Sequence, residues 1–144
     1  MPDRAEVPPA FVARLGAMCR ALPEVVEEPA WIGTRWRIRT RTFANVVMVA
    51  AGWPPVYARE AGTDGPAVVL TFRSSGPELE ALGHVGPPFF RPPWAPGAVG
   101  MVLDPDPDAG ATDWDEIAEL VTESYCLLAP RRLADSVRRP DAGA

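Results

Sequence analysis

Between Trp31 and Ala50 the chain reads Trp-Ile-Gly-Thr-Arg-Trp-Arg-Ile-Arg-Thr-Arg-Thr-Phe-Ala-Asn-Val-Val-Met-Val-Ala, its longest β-type run. Trp36 and Ile38 alternate with Arg35, Arg37 and Arg39, the period-2 signature of a strand with one dry and one wet face. Arg41 continues the basic alternation, and Phe43 to Ala50 is then almost wholly apolar, as in a strand buried on both faces. Two geometries fit. One strand over 34–50 would place all four arginines on one face. A hairpin turning at Arg39-Thr40 would give strands near 34–38 and 41–50. A single strand of that span far exceeds the usual ~5–6 residues. The hairpin is therefore preferred, although its turn lacks the Gly or Asn favoured in tight primed turns.

The rest of the chain supplies what such a strand pair packs against. Phe11, Val12, Leu15, Met18, Cys19 and Leu22 form an apolar stripe at helical period, with Pro8 and Pro9 tolerated in the first turn and Pro23 as the stop. Glu24 to Pro29 is a connection with a possible short strand at Val25-Val26. Gly52-Trp-Pro-Pro breaks the long run, Val56 to Glu60 reads as a short extended piece, and Ala61 to Pro66 is a loop. Ala67 to Arg73 is a strand with Val68, Leu70 and Phe72 on one face. Ser75 or Gly76 caps a short helix that turns Leu79 and Leu82 inward and stops at Gly83. His84 to Gly97, rich in proline and carrying Phe89, Phe90 and Trp94, reads as a stiff loop. Ala98 to Leu103 is the last strand. Asp113 and Glu116 then make a capping box for a helix whose dry stripe is Trp114, Ile117, Leu120, Val121, Tyr125 and Leu128, ended by Pro130.

The order implies an α+β two-layer sandwich: an antiparallel sheet with the N- and C-terminal helices packed on one face. The expected organisation is a loose arm over 1–9, one domain over 10–130 and a polar tail over 131–144. At 144 residues a single domain of useful core size is expected. No apolar run reaches the roughly 18–20 residues that cross a bilayer, so no membrane partner is expected. Met1-Pro-Asp-Arg-Ala-Glu has no apolar core, so no signal peptide is read and the expected compartment is the cytoplasm.

All 14 basic residues are arginine, and abundant Ala, Gly and Pro accompany them. That pattern suits a GC-rich genome, so placement rather than number must carry any anion-binding argument. Residues 31–103 hold seven arginines (35, 37, 39, 41, 59, 73, 91) against Glu60, Asp64, Glu78 and Glu80, a net of +3. Residues 104–128 hold Asp104, Asp106, Asp108, Asp113, Asp115, Glu116, Glu119 and Glu123 with no base, a net of −8. The overall charge of −5 argues against tight, non-specific nucleic-acid binding over the whole surface.

Several features together resemble the MmcQ/YjbR family of small bacterial proteins. They are the helix ending in Leu22-Pro23 before Val26-Glu27, the block Trp36-Arg-Ile-Arg-Thr-Arg-Thr-Phe-Ala44, the strand Val68 to Arg73, the run from Trp94 to Asp104, and Glu123-Ser-Tyr125. Their order and spacing span roughly residues 10–130. The resemblance implies a frataxin-like α/β sandwich with a double-wing DNA-binding motif. The family's turn glycine is replaced here by Arg39-Thr40, while Arg41 keeps a basic charge where lysine is common.

On this reading Arg35, Arg37, Arg39, Arg41 and Arg73 are the candidate phosphate contacts, since guanidinium forks match phosphate geometry. Trp36 or Trp94, if exposed, would add stacking. The competing account is a solvated face whose arginines pair with Glu24, Glu27 and Glu28. A second functional class is a small-molecule or protein-interaction module using Phe89, Phe90 and Trp94. Asp104, Asp106, Asp108 and Asp115 fall at positions 1, 3, 5 and 12 of a calcium loop, but Ala109 replaces the required glycine and prolines fill positions 2 and 4. Cys19 and Cys126 read as buried thiols, and His84 lacks a partner of catalytic type. No Gly-x-Ser-x-Gly elbow or Gly-rich phosphate loop occurs. The expectation is a protein without enzymatic activity, cofactor or metal.

Overall fold

A computed structural model describes residues 5–139. In chain order it contains α1 (Pro9–Arg20), β1 (Val25–Pro29), β2 (Thr34–Ile38), β3 (Arg41–Val49), α2 (Pro55–Ala61), β4 (Ala67–Arg73), α3 (Gly76–His84), β5 (Phe89–Phe90), β6 (Ala98–Leu103), α4 (Trp114–Leu128) and α5 (Arg131–Ser136). The strands form one sheet in the order β1-β2-β3-β4-β6-β5, every neighbour antiparallel.

Register decides which side chains meet the helices. Ala44, Val46 and Met48 of β3 stand opposite Phe72, Leu70 and Val68 of β4. Opposed residues share a face, and this face carries α1 and α4. Phe11, Leu15 and Cys19 of α1 join Ile117, Val121 and Tyr125 of α4 in one buried cluster with it. Phe11 meets Trp114 at 5.2 Å between ring centroids, and Tyr125 meets Phe43 edge-on at 5.4 Å. On the reverse face, Ala58 of α2 covers Val49 and Val69, with Tyr57, Ala61 and Phe90 packed around them. That second cluster explains why Phe43 to Val49 is apolar nearly throughout. The α+β sandwich with its terminal helices on one face is thus the observed architecture.

Ser124 clamps α4 to the sheet. Its hydroxyl donates to the carbonyl of Phe43 at 2.6 Å and accepts the Arg73 backbone N–H at 2.8 Å, so one fully buried side chain bridges β3 and β4. Ser124→Ala would strand both backbone groups out of reach of water and should cost about 2 kcal/mol. A urea titration checks this, and a loss under about 0.5 kcal/mol would show that the clamp contributes little.

Five local expectations are corrected. Residues 56–60 are helical: Pro54 occupies the N-cap, Pro55 supplies the preset φ of a first turn, and Gly62 closes the helix in the left-handed region at φ 71°. The two prolines thus start a helix as well as breaking a strand. Gly83 does not stop α3, which continues to His84; the Arg91 side chain lies against Gly83 instead. Phe89-Phe90 is a short edge strand paired with Gly100 and Met101. Residues 131–136 form α5, because Leu133 is buried in the main core. At the other end, Val7 of the expected loose arm is also buried. Residues 1–4 of that arm and 140–144 of the expected tail lie outside the described residues. Among the described residues, no helix is long and apolar enough to cross a membrane.

Candidate nucleic-acid interface

The arginine block folds as the hairpin, with β2 and β3 joined through Arg39-Thr40. Arg39 itself takes the left-handed conformation, at φ 56°, that glycine would adopt more readily. A bulge interrupts the pairing. Trp36 stands opposite Ala44, but Arg37 stands opposite Thr42, so Phe43 is the extra residue. Both Phe43 and Ala44 are consequently buried.

The two-residue turn divides the arginines. Arg35 and Arg37 face polar partners, Asn45 and Thr42, on the side away from α1. Arg41 is the register partner of Ile38, a core residue, and therefore starts on the helix-bearing side. Arg39 lies in the turn between them. The four basic groups surround the hairpin tip rather than sharing one flat face.

Strand β1 lays carboxylates beside them. Glu28 stands opposite Arg35, and its Oε1 accepts both Arg35 Nε and Arg37 Nε at 2.8 Å. The Arg37 bond and then the Arg35 bond hold the Glu28 carboxyl below the ordinary glutamate range. Glu24 pairs with Arg39 at 3.2 Å. Glu27 does not serve the hairpin. It alternates to the other face, where it accepts the Trp36 indole N–H at 2.7 Å and meets Arg20 at 3.6 Å. Arg41 has no ion pair among the described residues. The hairpin therefore carries four guanidiniums against two carboxylates.

Trp36 is 0% exposed and cannot stack on a base. Trp94, 42% exposed, lies edge-on to Tyr57 at 5.0 Å. Arg73 belongs elsewhere: at the end of β4 its guanidinium lies against Gly97. The aromatic loop also divides. Phe89 packs on the main core, Phe90 lies across Gly100 on the reverse face, and Trp94 joins Tyr57. Phe89 and Phe90 border an open cleft of about 680 Å³ with Glu60, Pro87 and Pro88, and Trp94 does not line it.

The acidic segment is used locally. Asp104 and Asp106 each accept the backbone N–H two residues on, at 2.8 and 2.9 Å, forming successive Asx turns. Arg14 lies over the Trp114 ring at 4.7 Å and reaches Asp108 at 3.6 Å, placing the acidic loop beside the helix layer. Among the described residues, no group of three or more His, Cys, Asp or Glu is arranged to hold a metal ion. Burial, reinforced by Glu27, raises the Cys19 thiol far above its ordinary range, so it stays protonated. His84 Nδ1 lies 2.8 Å from the Glu80 carbonyl within α3. The hydroxyl of Ser124 is spent on backbone groups.

No protein-family model matches this chain, and no curated protein matches it. The site therefore rests on its own geometry. Two parts of that geometry escaped sequence reasoning: the Phe43 bulge and the double use of Glu28. A weak signal for the second existed, since Glu28 and Arg35 lie symmetrically about the loop joining β1 and β2.

Proposed function

We propose that this chain is a cytoplasmic, non-enzymatic DNA-binding protein of MmcQ/YjbR type, contacting phosphates through the tip of its β2–β3 hairpin. One observation carries the reading: two carboxylates cannot neutralise four guanidiniums, so an exposed hairpin retains a positive excess within a chain of net charge −5. Arginine presents paired donors to phosphate oxygens, and the surrounding negative charge confines attraction to the tip. The Arg37 and Arg35 bonds hold the Glu28 carboxyl below the ordinary glutamate range, so it keeps its negative charge at neutral pH.

Fluorescence anisotropy with labelled duplex and single-stranded DNA at two salt concentrations tests this. An excess of about two charges predicts a slope near −2 in log K against log salt for duplex. Arg35/Arg37/Arg41→Ala should abolish binding while leaving the circular dichroism spectrum intact. Glu28→Gln, which releases two guanidiniums, should tighten binding about threefold. Absence of binding at low salt, or undiminished binding by the folded triple variant, would refute the reading.

A further inference from the structure

On the face away from α4, the register lines one row of side chains across all six strands: Glu28, Arg35, Asn45, Thr71, Gly100 and Phe90. Cross-strand partners point to the same side of a sheet. The next row toward the hairpin tip holds Arg37 and Thr42, and strand alternation from Thr71 puts Arg73 on this face as well. The opposite flank is apolar, and Ala58 of α2 packs there on Val49 and Val69. At the β6 end the ring of Phe90 lies over Gly100. Between these two covers, Arg35, Arg37, Asn45, Thr71 and Arg73 all reach solvent.

This open patch is basic. Glu28 fixes Arg35 and Arg37 through their Nε atoms, and Arg73 has no ion pair among the described residues. Three guanidiniums against one carboxylate leave a net of +2 in a chain of net charge −5.

An exposed aromatic stands beside it. Tyr57 of α2 is hydrogen-bonded by the Asn45 side chain, in the middle of the row. Trp94 rests against Tyr57 at 5.0 Å and is 42% exposed. Its loop is held by two successive turns, Ala95 N–H to the Pro92 carbonyl and Ala98 N–H to the Ala95 carbonyl. The Ser74 N–H then bonds the Gly97 carbonyl, and the Arg73 guanidinium lies against Gly97, which ties the loop to the end of β4. The indole is thus fixed at the border of the basic patch.

We propose that this sheet face binds single-stranded DNA, with Arg35, Arg37 and Arg73 on backbone phosphates and a base stacked on Trp94. Phosphate supplies the charge that the patch lacks, and guanidinium forks suit its oxygens. Stacking needs a base whose π-face is open, which a duplex withholds. Asn45 and Thr71 add hydrogen-bonding groups to the floor between the arginines. The inference rests on the reading of the chain as a DNA-binding protein, and it adds the strand state and a face beyond the hairpin tip.

Fluorescence anisotropy with labelled oligo-dT and a labelled duplex of the same length separates the two surfaces. Oligo-dT should bind the natural chain, and Trp94→Ala should weaken that binding about tenfold while the circular dichroism spectrum stays unchanged. Trp94→Phe should restore most of it. Arg73→Gln should flatten the single-strand salt slope by about 0.7, a second readout should Trp94→Ala disturb the Tyr57 packing. Oligo-dT binding that survives Trp94→Ala undiminished, or a salt slope that Arg73→Gln leaves unchanged, overturns the proposal even where the hairpin tip binds duplex. Oligo-dT binding that depends on Trp94 in a chain that ignores duplex supports the sheet face and refutes the tip. Absence of binding to either DNA refutes both. Oligo-rU forms the last arm, and tighter binding of it than of oligo-dT overturns the assignment to DNA.

Discussion

Trp36→Ala is expected to lower stability by about 3–5 kcal/mol, the range for truncating a buried aromatic side chain. Trp36 heads the large, fully buried side chains of the core. It stands opposite Ala44, whose small side chain leaves the volume that the indole fills. Removing it would open a cavity between β2 and α1 that a close-packed interior closes only in part. It would also cost Glu27 its indole donor. A domain of this size has only about 5–15 kcal/mol of stability in all. Chemical denaturation reads the effect directly. Trp36→Phe keeps most of the ring volume and loses the N–H bond, so its cost should be nearer 1–2 kcal/mol. A loss below about 1 kcal/mol for the alanine variant would contradict the placement of Trp36 in the core and return it to the list of possible stacking residues.

Gly33→Ala should be nearly as damaging, for a reason that involves no lost contact. Gly33 enters β2 at φ 77°, where a Cβ is strained, and a Cβ there would overlap the backbone carbonyl oxygen of Val46. A carbonyl within a paired strand cannot turn away as a side chain can. The left-handed conformation costs roughly 1–2 kcal/mol, and the forced backbone shift adds about 1–3. The expected total is about 3 kcal/mol. Gly62 provides the control: it has φ 71° but nothing within 4 Å of an added Cβ. Gly62→Ala should therefore show the conformational cost alone, about 1–2 kcal/mol. Equal losses at the two sites, measured by urea unfolding, would eliminate the steric component.

The two glycines look alike in the sequence, and so do the two halves of the arginine block. Alternation at Trp36 and Ile38 was enough to read a strand, and the apolar stripes of Phe11–Cys19 and Trp114–Leu128 were enough to read two helices. Those readings survived because period and proline placement are local properties. The short elements were less legible. Val56 to Glu60 is too brief for a helical period to declare itself, and Leu133 is a lone apolar residue in a polar segment, so burial alone assigns it.

The candidate site divides in the same way. That basic residues cluster near a turn is written in the chain order. Which of them share a side is not, because the two-residue turn pairs Ile38 with Arg41 and so puts Arg41 on the face opposite Arg37, where a single strand would have kept them together. Pairing with carboxylates is equally non-local: β1 must lie antiparallel to β2 before Glu28 can reach two guanidiniums while Glu27 turns to the opposite face and meets the Trp36 indole. The row of Arg35, Asn45 and Thr71 likewise exists only once β2, β3 and β4 have paired in register. The sequence by itself determined the element types, their order and the sandwich they form, because each follows from hydrophobic period and backbone preference within a few residues. Only the tertiary structure decided which charges are neutralised and which side chains share the open face, because those depend on register and on partners distant in the chain.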